Sequence, residues 1–148
     1  MTDGMPGPAS TAETPSATTD LPVLFRLNIE VTDLDAAVGF YSTLLGTAGR
    51  RQAGSRSYFT CGSVTLQVLD VSGHRAVRPL PDSLYFTVRD LDTLFGRARD
   101  LDCLVGHDVH GAPGGEIAVR PWGERSFYVE DPWGNALCFV EAGTVYEG

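Results

Sequence analysis

In FRLNIEV, residues 25–31, the apolar side chains of Phe25, Leu27, Ile29 and Val31 alternate with Arg26, Asn28 and Glu30, a period of two that predicts a strand with one apolar and one polar face. The period then changes. In TDLDAAVGFYSTLLG, Leu34, Ala37, Val38 and Tyr41 recur at helical spacing, with Asp33 placed to cap the start and Gly46 to end the helix. SRSYFTCG and VTLQVLDV follow as two strands turning about Gly62. The pattern then restarts: SLYFTV alternates, and Leu91, Leu94, Phe95 and Ala98 return to helical spacing behind Asp90. VTDLD at 31–35 and VRDLD at 88–92 lie 57 residues apart, which reads as an internal duplication. Glycine and proline then divide the remainder into three strand-sized pieces, EIAV, RSFYV and ALCFV.

This pattern assigns residues 1–22, rich in Pro, Gly, Ser and Thr, to a disordered tail. A folded domain spans 23–142, with modules at about 23–72 and 80–142, and residues 143–148 form a C-terminal tail. The chain has 148 residues, enough for one domain built from two small halves. Its 11 basic and 19 acidic residues give a formal charge of −8, which disfavours nucleic acid and favours attraction of a cationic ligand. Three cysteines and no CxxC argue against an obligatory disulfide framework. No apolar run approaches the roughly 18 residues of a membrane span, and no signal-peptide pattern opens the chain, so a cytoplasmic location is expected.

VTDLDAAVGFYSTLLG, the repeated VRDLD and the terminal FYVEDPWGNALCFVE together resemble the glyoxalase/bleomycin-resistance/extradiol-dioxygenase superfamily, the vicinal oxygen chelate group, over roughly residues 23–142. The resemblance implies an α+β fold of two βαβββ modules forming a cupped mixed sheet, usually assembled as a homodimer. It also implies metal-ligand positions, which here carry Arg26, Gln67, Ser83 and Cys138. None matches the usual His or Glu. Arginine has no lone pair to offer at ordinary pH, and one thiolate does not make a divalent-metal site, so no metal and no cofactor is expected.

The strand phases place Arg26, Asn28, Gln67, Ser83, Tyr85 and Cys138 on the faces that would line the cup, with Trp122 and Trp133 able to cover a flat ligand or to anchor their loops. Arg26 can bind a carboxylate, phenolate or enolate, or simply pair with Glu30 on the same face. Glu30 is the candidate general base, its competing reading being a structural salt bridge. Tyr85 completes the catalytic candidates Arg26, Glu30 and Tyr85; its ring can instead fill the sheet. Cys138 reads as a nucleophile or as a small buried hydrophobe. His107 and His110 have HxxH spacing but sit among glycines, as surface loop residues would, and GAPGG suggests a rim or a tight connection. The expected function is metal-independent binding or sequestration of a small organic molecule, such as an antibiotic or metabolite. The alternatives are a metal-independent isomerase, lyase or hydrolase, and then a metal-dependent glyoxalase or dioxygenase.

Overall fold

The computed structural model describes residues 20–148 apart from Ala53. The expected N-terminal tail falls mostly on residues 1–19, outside the described residues. The first module runs β1 (Arg26–Val31), α1 (Leu34–Leu45), β2 (Arg50–Gln52), β3 (Arg56–Cys61) and β4 (Val64–Asp70). Its sheet has the order β1-β4-β3-β2, with β1 parallel to β4 and the other pairs antiparallel. The second module runs β5 (Leu84–Val88), α2 (Leu91–Asp100), a small hairpin β6 (Asp108–Val109) and β7 (Ala112–Pro113), then β8 (Ala118–Val119), β9 (Arg125–Glu130) and β10 (Ala136–Glu141). Its sheet order, β5-β10-β9-β8 with β5 parallel to β10, repeats the first. The inserted hairpin is the main departure from the duplicate.

Local chemistry explains both helices. The Asp33 carboxylate accepts from Ala36 N and that of Asp90 from Thr93 N, each satisfying an otherwise unpaired first-turn N–H. Gly46 ends α1 in the left-handed conformation at φ 74°. A side chain there would also strike Arg97, whose Nη1 donates to Leu44 O at 3.5 Å. The last turn of α1 holds no basic residue, so α2 of the other module brings a cation to its negative end.

One core joins the modules. Ile29, Val31, Phe59, Leu66 and Val68 from the first sheet meet Phe127, Val129, Leu137 and Phe139 from the second, with Tyr41 and Leu44 of α1 and Leu91 and Ala98 of α2 in the same cluster. Burying a side chain of this kind contributes about 1.5–3 kcal/mol. A polar seam accompanies it. Tyr41 Oη donates to Asp131 Oδ2 at 2.5 Å, while Asp131 Oδ1 accepts from the backbone of Trp133 and Asn135. Asn135 Nδ2 donates to Glu30 O and to Asp131 Oδ2, and its Oδ1 accepts from Leu80 N. The DPWGN turn therefore fastens β1 and α1 to the second module.

With one face of each sheet committed to this core, the other faces lie on its outer side, and that of the second sheet carries a smaller apolar cluster of Tyr128, Cys138 and Val140. Among the described residues no helix is long and apolar enough to cross a membrane.

Candidate functional site

Strand register builds two equivalent rows of side chains. In the first sheet Asn28 pairs with Gln67 and Gln67 with Tyr58; in the second, Tyr85 pairs with Cys138 and Cys138 with Tyr128. The alternation of side chains across each strand puts every member of a row on the polar face.

The first row is open. Gln67 Nε2 donates to Asn28 Oδ1 at 2.8 Å, and its buried Oε1 has no partner among the described residues. Arg26 is exposed, its guanidinium carbon 5.6 Å from the Tyr58 ring centroid and 5.0 Å from that of Phe25. The pairing of Arg26 with Glu30 considered from sequence does not form. Glu30 instead accepts from Arg75 Nη1 and Nη2 at 2.6 and 2.5 Å and from the Arg78 backbone at 2.8 Å, with Arg78 Nη2 at 3.3 Å. The Arg75 hydrogen bonds hold its carboxyl down at about 2, so at neutral pH it is fully ionised and a weak base.

The second row is closed. Cys138 is wholly buried, and that burial pushes its thiol up to about 11, leaving it protonated at neutral pH and inert as a nucleophile. Tyr128 is 5% exposed, and burial holds its phenol above the ordinary range. Its hydroxyl has no hydrogen-bond partner among the described residues. Tyr85, 59% exposed, stands edge-on to it with ring centroids 6.4 Å apart. Arg120 lies over the Tyr128 ring at 5.1 Å and is only 2% exposed. Its Nε donates to Ser126 Oγ at 3.0 Å and its Nη2 to Ser126 O and Glu116 O, while Nη1 has no partner among the described residues.

Two cavities open from this face. One of about 570 Å³ is lined by Ser83, Tyr85, Tyr128, Glu130, His107 and His110, and one of about 520 Å³ by Tyr85, Thr87, Trp122, Glu124, Val140 and Tyr146. Both volumes suit a small organic molecule. Tyr85 borders both, and the edge-on contact of His110 with Trp122, 4.5 Å between centroids, bridges their walls. Among the described residues, none from the polar face of the first sheet lines either cavity. Glu124 is buried with Oε1 accepting from Trp122 Nε1 and Oε2 from Tyr146 N, so it fixes the second cavity's wall. His107 and His110 are exposed on the hairpin, and the GAPGG segment is a tight connection, since side chains at Gly114 and Gly115 would meet Val105.

The residues singled out from sequence thus separate. Arg26, Asn28, Gln67 and Glu30 share the first face, and Ser83, Tyr85, Cys138 and Trp122 the second. Trp133 belongs to the seam, with Nε1 donating to Thr32 Oγ1 at 3.0 Å and its ring packed against the core, the loop-anchoring role left open by its sequence. Neither Tyr128 nor Arg120 stands among the site residues singled out from sequence. The register of Tyr128 against Cys138 would have exposed the first; nothing in AVRPWG marks the second.

A protein-family model described as Glyoxalase/Bleomycin resistance protein/Dioxygenase superfamily matches residues 23–139. The chain belongs to that superfamily. Among solved structures, oxidase ChaP-H1 is similar at 29% identity and a TM-score of 0.68, over 86% of this chain and all of that one (100%). A glyoxalase/bleomycin resistance protein/dioxygenase from Alicyclobacillus acidocaldarius is 27% identical with a TM-score of 0.57, covering 80% of this chain and 90% of its own. A lactoylglutathione lyase from Agrobacterium tumefaciens, at 24% identity and a TM-score of 0.60 over 84% and 96% of the two chains, shares the fold. No curated protein sequence matches the chain.

Superfamily membership raises the question of a metal, and the side chains at the implied ligand positions do not fit one. Arg26 is a cation, Gln67 is a neutral amide tied to Asn28, Ser83 is a neutral hydroxyl, and the Cys138 thiol is protonated. Among the described residues no three His, Cys, Asp or Glu side chains converge elsewhere.

Proposed function

We propose that this protein binds a small organic molecule on the polar face of its second module, without a metal, and releases it unchanged. The observation that carries this reading is the pair of cavities meeting at Tyr85, walled by Tyr85, Tyr128, Trp122 and Tyr146. Aromatic rings supply large contact area at low conformational cost, as ligand sites need. The nearby carboxylates suit binding better than proton transfer, since Glu124 is committed to Trp122 and Tyr146, and Glu30, on the other face, to Arg75 and Arg78.

A homodimer completes the cup in this reading. The first face, with its unpaired Gln67 Oε1, covers the second face of another copy, and the exposed Leu24, Phe25 and Tyr85 accompany that contact. Native mass spectrometry of freshly purified protein tests both parts, with a dimer retaining a non-metal small molecule expected. A monomer would overturn the shared cup, and stoichiometric bound metal would overturn metal independence. A ligand screen with recovery of each compound tests release: unchanged compound is expected.

The second reading is turnover on the same scaffold, as an isomerase, lyase, hydrolase or oxidase, and the likeness to oxidase ChaP-H1 favours it. Chemical conversion of a bound compound in that screen would establish it over sequestration.

A further inference from the structure

Arg120 is a buried cation whose recorded partners are all neutral. Its hydrogen bonds go to a hydroxyl and two carbonyls, and no carboxylate among the described residues pairs with it. Such a charge is costly to keep out of water unless an anion meets it. Glu124, four residues along, accepts from Trp122 Nε1 and Tyr146 N and makes no ion pair with Arg120. The unpaired Nη1 adds a second cost, and the unpaired Tyr128 hydroxyl a third. Three unfavourable features gathered on one sheet face mark a place where fold stability has been given up for binding.

The geometry makes them one feature. Arg120 lies over the Tyr128 ring and is tied to Ser126, which the strand alternation puts on the same face of β9 as Tyr128. Arg120 Nη1 can only donate, and a phenol hydroxyl donates readily, so the pair calls for an acceptor. The local positive charge makes that acceptor an anion, opposite in sign to the ligand suggested by the chain's net charge of −8. Tyr85 and Tyr128 beside it supply aromatic surface.

We propose that Arg120 Nη1 and the Tyr128 hydroxyl hold the anionic oxygen of an aromatic carboxylate or phenolate, an inference that rests on the ligand-binding reading above and narrows its ligand class. Tyr85, exposed and edge-on to Tyr128, is the side chain that turns to admit the ring.

Isothermal titration of the full chain with benzoate and with its neutral counterpart benzamide tests the assignment. Benzoate is expected to bind at least about tenfold more tightly, in line with a charge-assisted hydrogen bond. Tyr128→Phe should lower benzoate affinity about fivefold and leave benzamide unchanged, while Arg120→Met should abolish the preference. Arg120 also clamps Glu116 O and Ser126 O, so its loss can disturb the loop; Tyr128→Phe breaks no hydrogen bond and serves as the variant that folds. Equal affinity for the two probes, failure of benzoate to bind, or a preference left undiminished by Tyr128→Phe overturns the inference. Binding of both probes equally would leave the broader ligand-binding reading standing, whereas failure of every compound in the screen, with nothing retained in native mass spectrometry, would remove that reading as well.

Discussion

Asn28, Gln67 and Tyr58 in the first sheet and Tyr85, Cys138 and Tyr128 in the second are the same row built twice, with an arginine over the tyrosine ring in each. Their surroundings differ. Arg26, the first residue of β1, is exposed, and Tyr58 is half-buried. Arg120 comes from the connection between β8 and β9, which folds over the sheet and is held by Ser126 and Glu116, so both Arg120 and Tyr128 are buried. The first module joins its helix to β3 through residues 46–55; the second uses residues 101–124 between α2 and β9, including the extra hairpin. Both modules carry the row, and the longer connection of the second encloses Arg120 and Tyr128 where Arg26 and Tyr58 of the first stay open to solvent.

The comparison holds only while both rows belong to one body, which makes the seam the place where the largest effect is expected. Asp131, 4% exposed, accepts from the Tyr41 hydroxyl, two backbone N–H groups and the Asn135 amide. Asp131→Ala leaves these buried donors unpaired, a change expected to cost about 3–5 kcal/mol, comparable with breaking a buried charged network. Urea unfolding at neutral pH checks it. A loss below about 1 kcal/mol would mean that the apolar core alone holds the modules together.

Two buried tyrosines sharpen the contrast at intermediate scale. Tyr41 is fully buried with its hydroxyl bonded to Asp131, whereas the equally enclosed Tyr128 hydroxyl has no partner. Removing a satisfied hydroxyl forfeits a hydrogen bond to a charged group, so Tyr41→Phe should cost about 1.5–3 kcal/mol. Removing an unsatisfied one forfeits none. Tyr128→Phe should therefore be neutral within about 0.5 kcal/mol or stabilising, as expected where a residue is kept for binding. Parallel thermal melts of the two variants make the comparison, and equal losses would show that Tyr128 has a structural partner after all.

Glu30 gives a smaller, pH-dependent effect confined to the first face. Its carboxyl is lowered from 4.5 to about 2 by the Arg75 hydrogen bonds, so the stabilisation is complete above about pH 4.5 and is lost as the pH falls toward 2. Both arginines are partly exposed, which limits the gain at neutral pH to about 1 kcal/mol or less. Glu30→Gln should be less stable than the parent at pH 7 and converge on it by pH 2. Denaturant unfolding across that range would refute the assignment if the gap stayed constant.

These residues also show what a sequence makes legible. β1 and β5 each have one face turned toward solvent, so their alternation reads directly, and Asp33, Gly46 and Asp90 mark the helix ends by local hydrogen bonds and backbone conformation. The fold class follows from such local signals, and the superfamily likeness stands on the same segments. The site is harder to read. In RSFYVE of β9 the four middle residues are all buried, so no polar phase separates Tyr128 from Phe127. Arg120 follows a two-residue strand with no period to read. Glu30 finds its arginines 45 and 48 residues along the chain, in place of the nearby Arg26. Each of these positions is decided by tertiary contacts that a period of two or 3.6 does not encode.

Arg26 carries the smallest expected effect and closes the contrast with Arg120. An exposed guanidinium over aromatic rings contributes about 0.5–1 kcal/mol at most, because water competes for the charge and the side chain gives up rotamer freedom to stay there. Arg26→Ala is therefore expected to shift unfolding by no more than about 0.5 kcal/mol and to leave the preference for benzoate over benzamide unchanged, since the anionic oxygen is held by Arg120 and Tyr128 while Arg26 lies over Tyr58. Calorimetry on the same samples reads both quantities. If Arg26→Ala lowers benzoate affinity while the protein stays folded, the two arginines act on one ligand, with Arg26 reaching it from the other copy of the proposed shared cup.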